Sequence, residues 1–387
     1  MRRICMKKLG LITFHRSHNC GSILQAYALQ TVLKDKFQID NELIDFSNAG
    51  QQRYYATLVS IQKPKDILKN LVFGLFYIPI DRHRKEYDAY IRKIFQLSDK
   101  FYQTDEELEG IEDNYSAVVC GSDQIWNTRC SDADDAYYLS FVHHTPKIAY
   151  AASMGANNIL GKGAEIEQHY RELVNDFDAV SVRETNAKKW LEQLTGREIP
   201  ITADPTLLLE RNDWENLCRE RLYKGKYIFY YSFGYDPYYT EIVRKVSKET
   251  GMPVIVLDAK NWVKQKLFMK GIKLSKHSGP DVFLTLIRDA DIVITSSLHG
   301  TIFSTIFQKC FWYLKPKNYE RLSDDADDRA VSLLTQLGLM DRYVTEKELL
   351  EKGIFTMPNY TKKNAQVEEL RQESFNFIEE NIVKKVK

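Results

Sequence analysis

The stretch ADIVITSSLHGTIFSTIF, Ala290–Phe307, runs from β-branched residues through a small polar turn into an apolar segment of helical spacing. Ile292, Val293 and Ile294 form a continuous apolar run, the pattern of a strand buried on both faces. Ser296–Gly300 reads as the turn and Thr301–Phe307 as the helix after it. The same unit recurs along the chain. Leu9–Phe14 precedes the loop His15–Gly21 and a helix that Ser22 can cap. Ala117–Cys120 runs into Gly121-Ser122-Asp123, Lys147–Ala152 into Ser153–Gly155, Ala179–Val182 into Arg183, and Glu198–Ala203 into Asp204-Pro205-Thr206. A second series follows Leu209: strands at Tyr227–Ser232, Pro253–Leu257, Asp291–Thr295 and Phe311–Leu314. Helices are predicted around Thr240–Thr250 and after Ser278-Gly279-Pro280. Strands alternating with helices predict an α/β protein of parallel sheets.

The length of 387 residues suits two domains. They are expected at 1–208, with a helical insertion at about 51–100, and at 209–345, which carries the Ser297–Gly300 turn. Residues 346–387 form a tail whose last segment reads as a closing helix. With 54 Lys+Arg against 53 Asp+Glu, the net charge of +1 leaves no basic footprint for nucleic acid. The six cysteines (Cys5, Cys20, Cys120, Cys130, Cys218, Cys310) are scattered without CxxC or CxH spacing, which argues against zinc and a disulfide framework and fits a reducing, cytoplasmic setting. No apolar run approaches the ~20 residues of a membrane span. The run Leu71–Ile80, flanked by Lys63, Lys65 and Lys69 and by Arg82, Arg84 and Lys85, has two readings: a peripheral membrane contact, or helices packed on the domain with solvated lysines.

In open α/β sheets, ligands sit where strand ends turn into helix N-termini. Four such turns are polar. In Ser296–Thr301, free N–H groups and the helix dipole make an anion site, and His299 stands beside it. An imidazole, with an ordinary pKa of ~6.5, suits proton transfer near neutral pH; a capping histidine is the equal alternative. Arg183, at a strand end, could grip phosphate or carboxylate, or pair with Glu184. Gly121–Asn127 sets Trp126 among Ser122, Asp123 and Gln124, a ring face bordered by hydrogen-bonding groups of the kind sugars use; alternatively Trp126 is core and Asp123 a cap. His15–Ser22, with Asn19, offers anion-binding groups before a helix but lacks GxGxxG, which makes it a weak case for a dinucleotide site.

Together these clusters resemble the polysaccharide pyruvyl transferase family. The matching segments are TFH…NCGSILQAYALQ (Thr13–Gln30), VVCGSDQIWN (Val118–Asn127), KIAYAASMG (Lys147–Gly155), AVSVRE (Ala179–Glu184), TADPTLLL (Thr202–Leu209) and the opening stretch, in the family's order. The resemblance implies two Rossmann-like domains facing across a cleft, as in glycosyltransferase-B enzymes. It implies phosphoenolpyruvate as donor and a sugar of a cell-surface or exported glycan, lipid-linked or free, as acceptor, with no metal and no other cofactor. His299 is then the expected acid/base. Arg183, Ser297, Leu298, Gly300 and Thr301 are the expected donor contacts, and Asn19, Ser122, Asp123, Gln124 and Trp126 the expected acceptor contacts. Some members carry arginine before the Leu-His pair, where this chain has Ser297, so that cation is absent or supplied elsewhere. Competing readings are a nucleotide-sugar glycosyltransferase of the same architecture and a non-catalytic glycan- or metabolite-binding member.

Overall fold

The computed structural model describes residues 7–319 and 328–386, with residues 361–364 described by their backbone alone; Cys5 lies outside them. Two six-stranded sheets form among the described residues, and every strand pair in them is parallel. The first holds β1 (Lys8–Ile12), β2 (Asn41–Phe46), β3 (Leu97–Tyr102), β4 (Tyr115–Cys120), β5 (Lys147–Ala152) and β6 (Ala179–Val182) in the order β3-β2-β1-β4-β5-β6. The second holds β7 (Ile228–Tyr231), β8 (Val254–Val256), β9 (Lys273–Leu274), β10 (Ile292–Thr295), β11 (Phe311–Leu314) and β12 (Tyr343–Val344) in the order β12-β11-β10-β7-β8-β9. Counted within each sheet, both have the doubly wound order 3-2-1-4-5-6. The strand order therefore reverses between β1 and β4 and between β7 and β10, and the loops after those strands diverge to leave a crevice.

The central strands explain the apolar runs. Leu11 pairs with Leu43 on one side and Val119 on the other, and Ile294 lies between Tyr230 and Trp312. All of these except the edges are covered on both faces by helices, so alternation gives way to continuous burial. One apolar cluster runs through both lobes. Tyr27, on the helix Cys20–Thr31, packs on Trp214, whose ring meets Phe303 of the helix Leu298–Ile306 edge-on at 4.9 Å. Hydrophobic burial therefore holds the lobes face to face.

Two further elements tie them together. The helix Tyr360–Ile378 returns to the first lobe, where Ser374 Oγ accepts from Ala203 N at 2.8 Å and Arg371 Nε donates to Leu207 O at 2.7 Å, and beyond its end Lys385 pairs with Asp178 at 2.6 Å. The insertion between β2 and β3 consists of the helices Ala49–Tyr55, Pro64–Leu75 and Tyr77–Ile94. It reaches the second lobe through Glu86, which accepts from Ser278 N at 2.7 Å and pairs with His277 at 2.7 Å.

Several local expectations need correction. The insertion ends at Ile94, because residues 97–102 form the edge strand β3. Glu198–Ala203 is not a strand; it contributes a single bridge, Val182 to Ile201. The first helix starts at Cys20 with Asn19 as its cap, two residues before Ser22 is reached. The helix after β10 starts at Leu298, so Ser297 is the cap and His299 lies in the first helical turn.

Candidate active site

The two switch points face each other. From the second lobe comes the helix Leu298–Ile306, capped by Ser297, whose Oγ accepts from Gly300 N at 3.4 Å. Thr295 fixes its entry by accepting from Ser297 N at 2.9 Å and donating to Tyr231 O at 2.6 Å. Gly300 must lack a side chain, since a Cβ there would stand 2.3 Å from Thr295 Oγ1. Opposite lies the N-terminus of the helix Cys20–Thr31, with Asn19 Oδ1 accepting from Gly21 N at 2.9 Å. The His299 ring fills the space between these helix ends. Nδ1 lies against Gly21, where a Cβ would stand 2.0 Å away, and Nε2 is 3.3 Å from Asp204 Oδ2. The residue is 6% exposed.

Asp204 joins the lobes electrostatically. Its Oδ2 also accepts from Arg183 at 2.7 Å, and its Oδ1 accepts from the Thr206 amide at 3.0 Å and hydroxyl at 2.7 Å. Burial pushes this carboxyl up, but the His299 and Arg183 charges overwhelm that cost and hold it far below the usual carboxylate range. Arg183 also donates to Asp123 at 3.2 Å and lies 3.6 Å from Glu184. Asp123 accepts from Ser22 Oγ, and burial would raise its carboxyl; the Arg183 and His299 charges and that hydroxyl turn the shift downward.

Glu184 behaves oppositely. Its Oε1 accepts from Met154 N at 2.8 Å and Gly155 N at 3.3 Å, while Oε2 is buried without a hydrogen-bond partner. Burial pushes its pKa up to about 7, with the Arg183 charge working against the rise. A carboxyl whose folded pKa exceeds its unfolded value, ~4.3, binds more protons in the folded state. Its stabilising contribution is full below the unfolded pKa and is lost as pH rises toward 7. Glu184→Gln removes that titration. The melting temperature of the variant relative to the parent should therefore climb between pH 4.5 and 7 and level off above it. A difference independent of pH over that window would refute the assignment.

The residues expected to form the site divide into two sets. His299, Arg183 and Asp123 come together, with Ser297, Leu298, Gly300 and Thr301 in the adjoining cap and first turn; Thr301 Oγ1 donates to Ser297 O at 3.2 Å. Arg183, expected as an open donor clamp, is already engaged by Asp204 and Asp123. Among the expected acceptor contacts, Asp123 belongs to this ionic cluster, and Trp126 is core. The Trp126 indole stacks on Tyr138 at 4.9 Å, its Nε1 donates to Tyr137 O at 3.0 Å, and it is 0% exposed, so no ring face remains for a sugar. Ser122 is equally enclosed, its hydroxyl donating to Ala151 O at 2.6 Å. Gln124 Oε1 accepts from Asn127 at 2.9 Å, and Asn19 is spent on its helix cap. Asp204, Glu184, Ser22 and Gly21 complete the cluster and were not among the expected site residues. The acid at the Asp204-Pro205-Thr206 turn, the pairing of Arg183 with Glu184 and the polar turn His15–Ser22 are the sequence signals that pointed to them.

A cavity of 480 Å³ lies between the His15–Asn19 loop and the insertion. Arg16, His18, Gln51, Tyr55, Tyr77 and Asp88 are among its walls. His18 bonds Asp88 at 2.8 Å and lies between the Tyr55 and Tyr87 rings, and Arg84 holds the other Asp88 oxygen at 2.9 Å. None of the expected acceptor residues lines it.

Comparison with known proteins supplies the context. A family model described as polysaccharide pyruvyl transferase matches residues 19–318. Among curated proteins none matches the chain in sequence. Solved structures share the architecture at low identity. The UDP complex of S. aureus MnaA aligns with TM-score 0.51 and 12% identity over 97% of this chain and 96% of that one. The UDP-GlcNAc 2-epimerase of Methanocaldococcus jannaschii, in complex with UDP-GlcNAc and UDP, aligns with TM-score 0.50 and 14% identity over 95% and 99%. At such identity the likeness speaks to the fold: two Rossmann-like domains in the glycosyltransferase-B manner.

Proposed function

From the premise that this chain belongs to the polysaccharide pyruvyl transferase family, we propose that it moves a pyruvyl group from phosphoenolpyruvate to two hydroxyls of a glycan sugar, forming a cyclic ketal. The observation that carries this reading is a single imidazole, borne on the first helical turn of one lobe, with its Nδ1 edge against the helix N-terminus of the other lobe and its Nε2 edge facing Asp204.

The chemistry divides among the residues as follows. C3 of the enol takes a proton, C2 becomes electrophilic, and one sugar hydroxyl adds there. The C2–O bond to phosphate breaks, and the second hydroxyl closes the ring. Of the two hydroxyl protons, one balances the proton gained by C3 and the other leaves with phosphate. His299 is the group that moves these protons, with Asp204 stabilising the imidazolium. The first-turn N–H groups of both helices other than those of Gly21 and Gly300, which the caps occupy, receive the donor's phosphate and carboxylate. Arg183 acts as a positioning residue, fixing Asp204 and Asp123 against the ring. Because the ring is 6% exposed, donor entry requires the lobes to part, and their closure excludes water from the reactive enol. The acceptor sugar occupies the cavity beside the His15–Asn19 loop, where Tyr55 and Tyr77 offer ring faces and Gln51, Arg84 and Asp88 offer hydrogen bonds.

Binding in the absence of turnover separates this reading from a nucleotide-sugar enzyme. Saturating phosphoenolpyruvate should raise the melting temperature, by linkage of about 2.7 kcal/mol at a hundredfold excess over Kd, while UDP and UDP-GlcNAc leave it unchanged. The reverse pattern would transfer the assignment to a nucleotide-sugar donor.

A further inference from the structure

We propose that the outer face of the helical insertion, together with the Lys264–Lys270 segment of the second lobe, is a docking surface for an anionic lipid bilayer. The helix Pro64–Leu75 turns Phe73 inward, where it packs with Ile80, Ala259 and Val263. Ile67, Leu68, Leu71, Val72 and Leu75 fall at helical spacing on the opposite side, and all are exposed, Leu75 by 83%. Ile61 precedes this stripe, and Tyr77 and Ile78 continue it into the next helix, also exposed.

The second lobe extends the same face. Phe76 packs its ring on Phe268 at 5.0 Å and on Trp262 at 5.8 Å, and beside Phe268 stands Met269, exposed by 72%. An apolar surface drawn from two lobes and left to solvent has the pattern of an interaction site. No helix among the described residues is long and apolar enough to cross a membrane, so the geometry is that of a face that lies on a bilayer.

Charge selects the occupant. The segment 260–270 holds four lysines and no acidic residue, and Lys63, Lys65 and Lys69 border the apolar stripe, with Asp66 as the one acid of the helix. Lys63, Lys65, Lys69, Lys264 and Lys266 are exposed. A second copy of this chain would bring the same positive rim against itself, whereas an anionic headgroup layer complements it while the leucines enter the acyl boundary. Tyr77, which belongs to this face, also lines the polar cavity, as do Ala56 and Thr57 just before it. The cavity mouth thus adjoins the surface that rests on lipid. Docking stands without the pyruvyl-transfer reading, because it requires no turnover.

The test is sedimentation of the full chain with vesicles of phosphatidylcholine alone and of phosphatidylcholine mixed with phosphatidylglycerol. The parent should pellet with the mixed vesicles and not with the neutral ones, and added salt should weaken the association. Two variants probe the two contributions: Leu68→Glu/Leu71→Glu/Leu75→Glu, and Lys264→Glu/Lys266→Glu/Lys270→Glu. Each should reduce partitioning roughly tenfold or more, with melting temperatures near the parent's because the altered side chains are surface ones. Failure of the parent to bind the mixed vesicles, or binding by either variant equal to the parent's, would overturn the proposal. So would a parent dimer in light scattering that the leucine variant dissociates while no vesicle captures either.

Discussion

Alanine in place of His299 should lower phosphate release from phosphoenolpyruvate, measured with a panel of soluble acceptor glycans, by about a thousandfold or more. A positioned general acid/base contributes roughly 10²–10⁴ in rate. Here one ring would serve both protonation of C3 and deprotonation of the attacking hydroxyl, which places the loss toward the upper end. The alternative role, a capping histidine, predicts little change in turnover, and the structure already gives the cap of the helix after β10 to Ser297. Folding should survive, since the ring sits at the lobe junction and both sheets are built without it. Two companion variants sharpen the result. Asp204→Asn keeps the shape but removes the charge 3.3 Å from Nε2, so it should depress turnover and alter its pH profile together. His299→Asn should not restore activity, because an amide cannot exchange the proton. Turnover by His299→Ala within tenfold of the parent would remove the imidazole from the chemistry and leave the architecture alone standing.

Legibility of the fold in the sequence followed burial. Strands at the centre of each sheet, such as β1, β4 and β10, are covered on both faces, and their apolar runs announce them. The edge strand β3 (LSDKFY) is exposed or half-buried at all but its last residue and carries charge, as an edge must to discourage further pairing, so it looks like any polar linker. The edges β9 and β12 are two residues each and hold no period to detect. Helix starts slipped by three residues because several nearby residues (Asn19 and Ser22, Ser297 and Thr301) are all competent caps, and only the three-dimensional course of the chain chooses among them.

The site was legible by position and less so by partner. Sequence placed Arg183 and His299 at strand ends, and the structure puts both on Asp204. What local sequence could not supply was the direction of a side chain. Trp126, flanked by amides and a carboxylate, suggests an outward ring, yet the loop after β4 turns it onto Tyr138. The leucines of the insertion reverse the error, since an amphipathic helix ordinarily spends its apolar face on the core, and here a single inward phenylalanine anchors it.

The same geometry makes Gly21 the most sensitive position outside the ionic cluster. In a helix, Gly→Ala ordinarily adds up to ~1 kcal/mol of stability. At Gly21 the new methyl would stand 2.0 Å from His299 Nδ1 and 2.3 Å from its Cγ, well inside contact distance. The ring cannot retreat toward its other edge, where Asp204 and Arg183 stand, and Gly300 behind it is held against Thr295. Relief must therefore come from rotating the imidazole out of register with Asp204 or from separating the lobes. Overpacking of this kind costs about 1–3 kcal/mol, so Gly21→Ala should be neutral to moderately destabilising where helix propensity alone predicts a gain. Activity should fall much further than stability: a displacement of about 1 Å at the reacting group is enough for a loss of ~10². Most of that loss should appear in kcat if the donor still binds the two helix ends. Gly21→Ala with Thr295→Ser offers a control, because a change at Thr295 frees space behind Gly300 without touching the Gly21 side, and it should not rescue turnover. A Gly21→Ala enzyme that is more stable than the parent and fully active would mean that the lobes stand apart in the working state and that His299 and the helix Cys20–Thr31 do not meet around the donor.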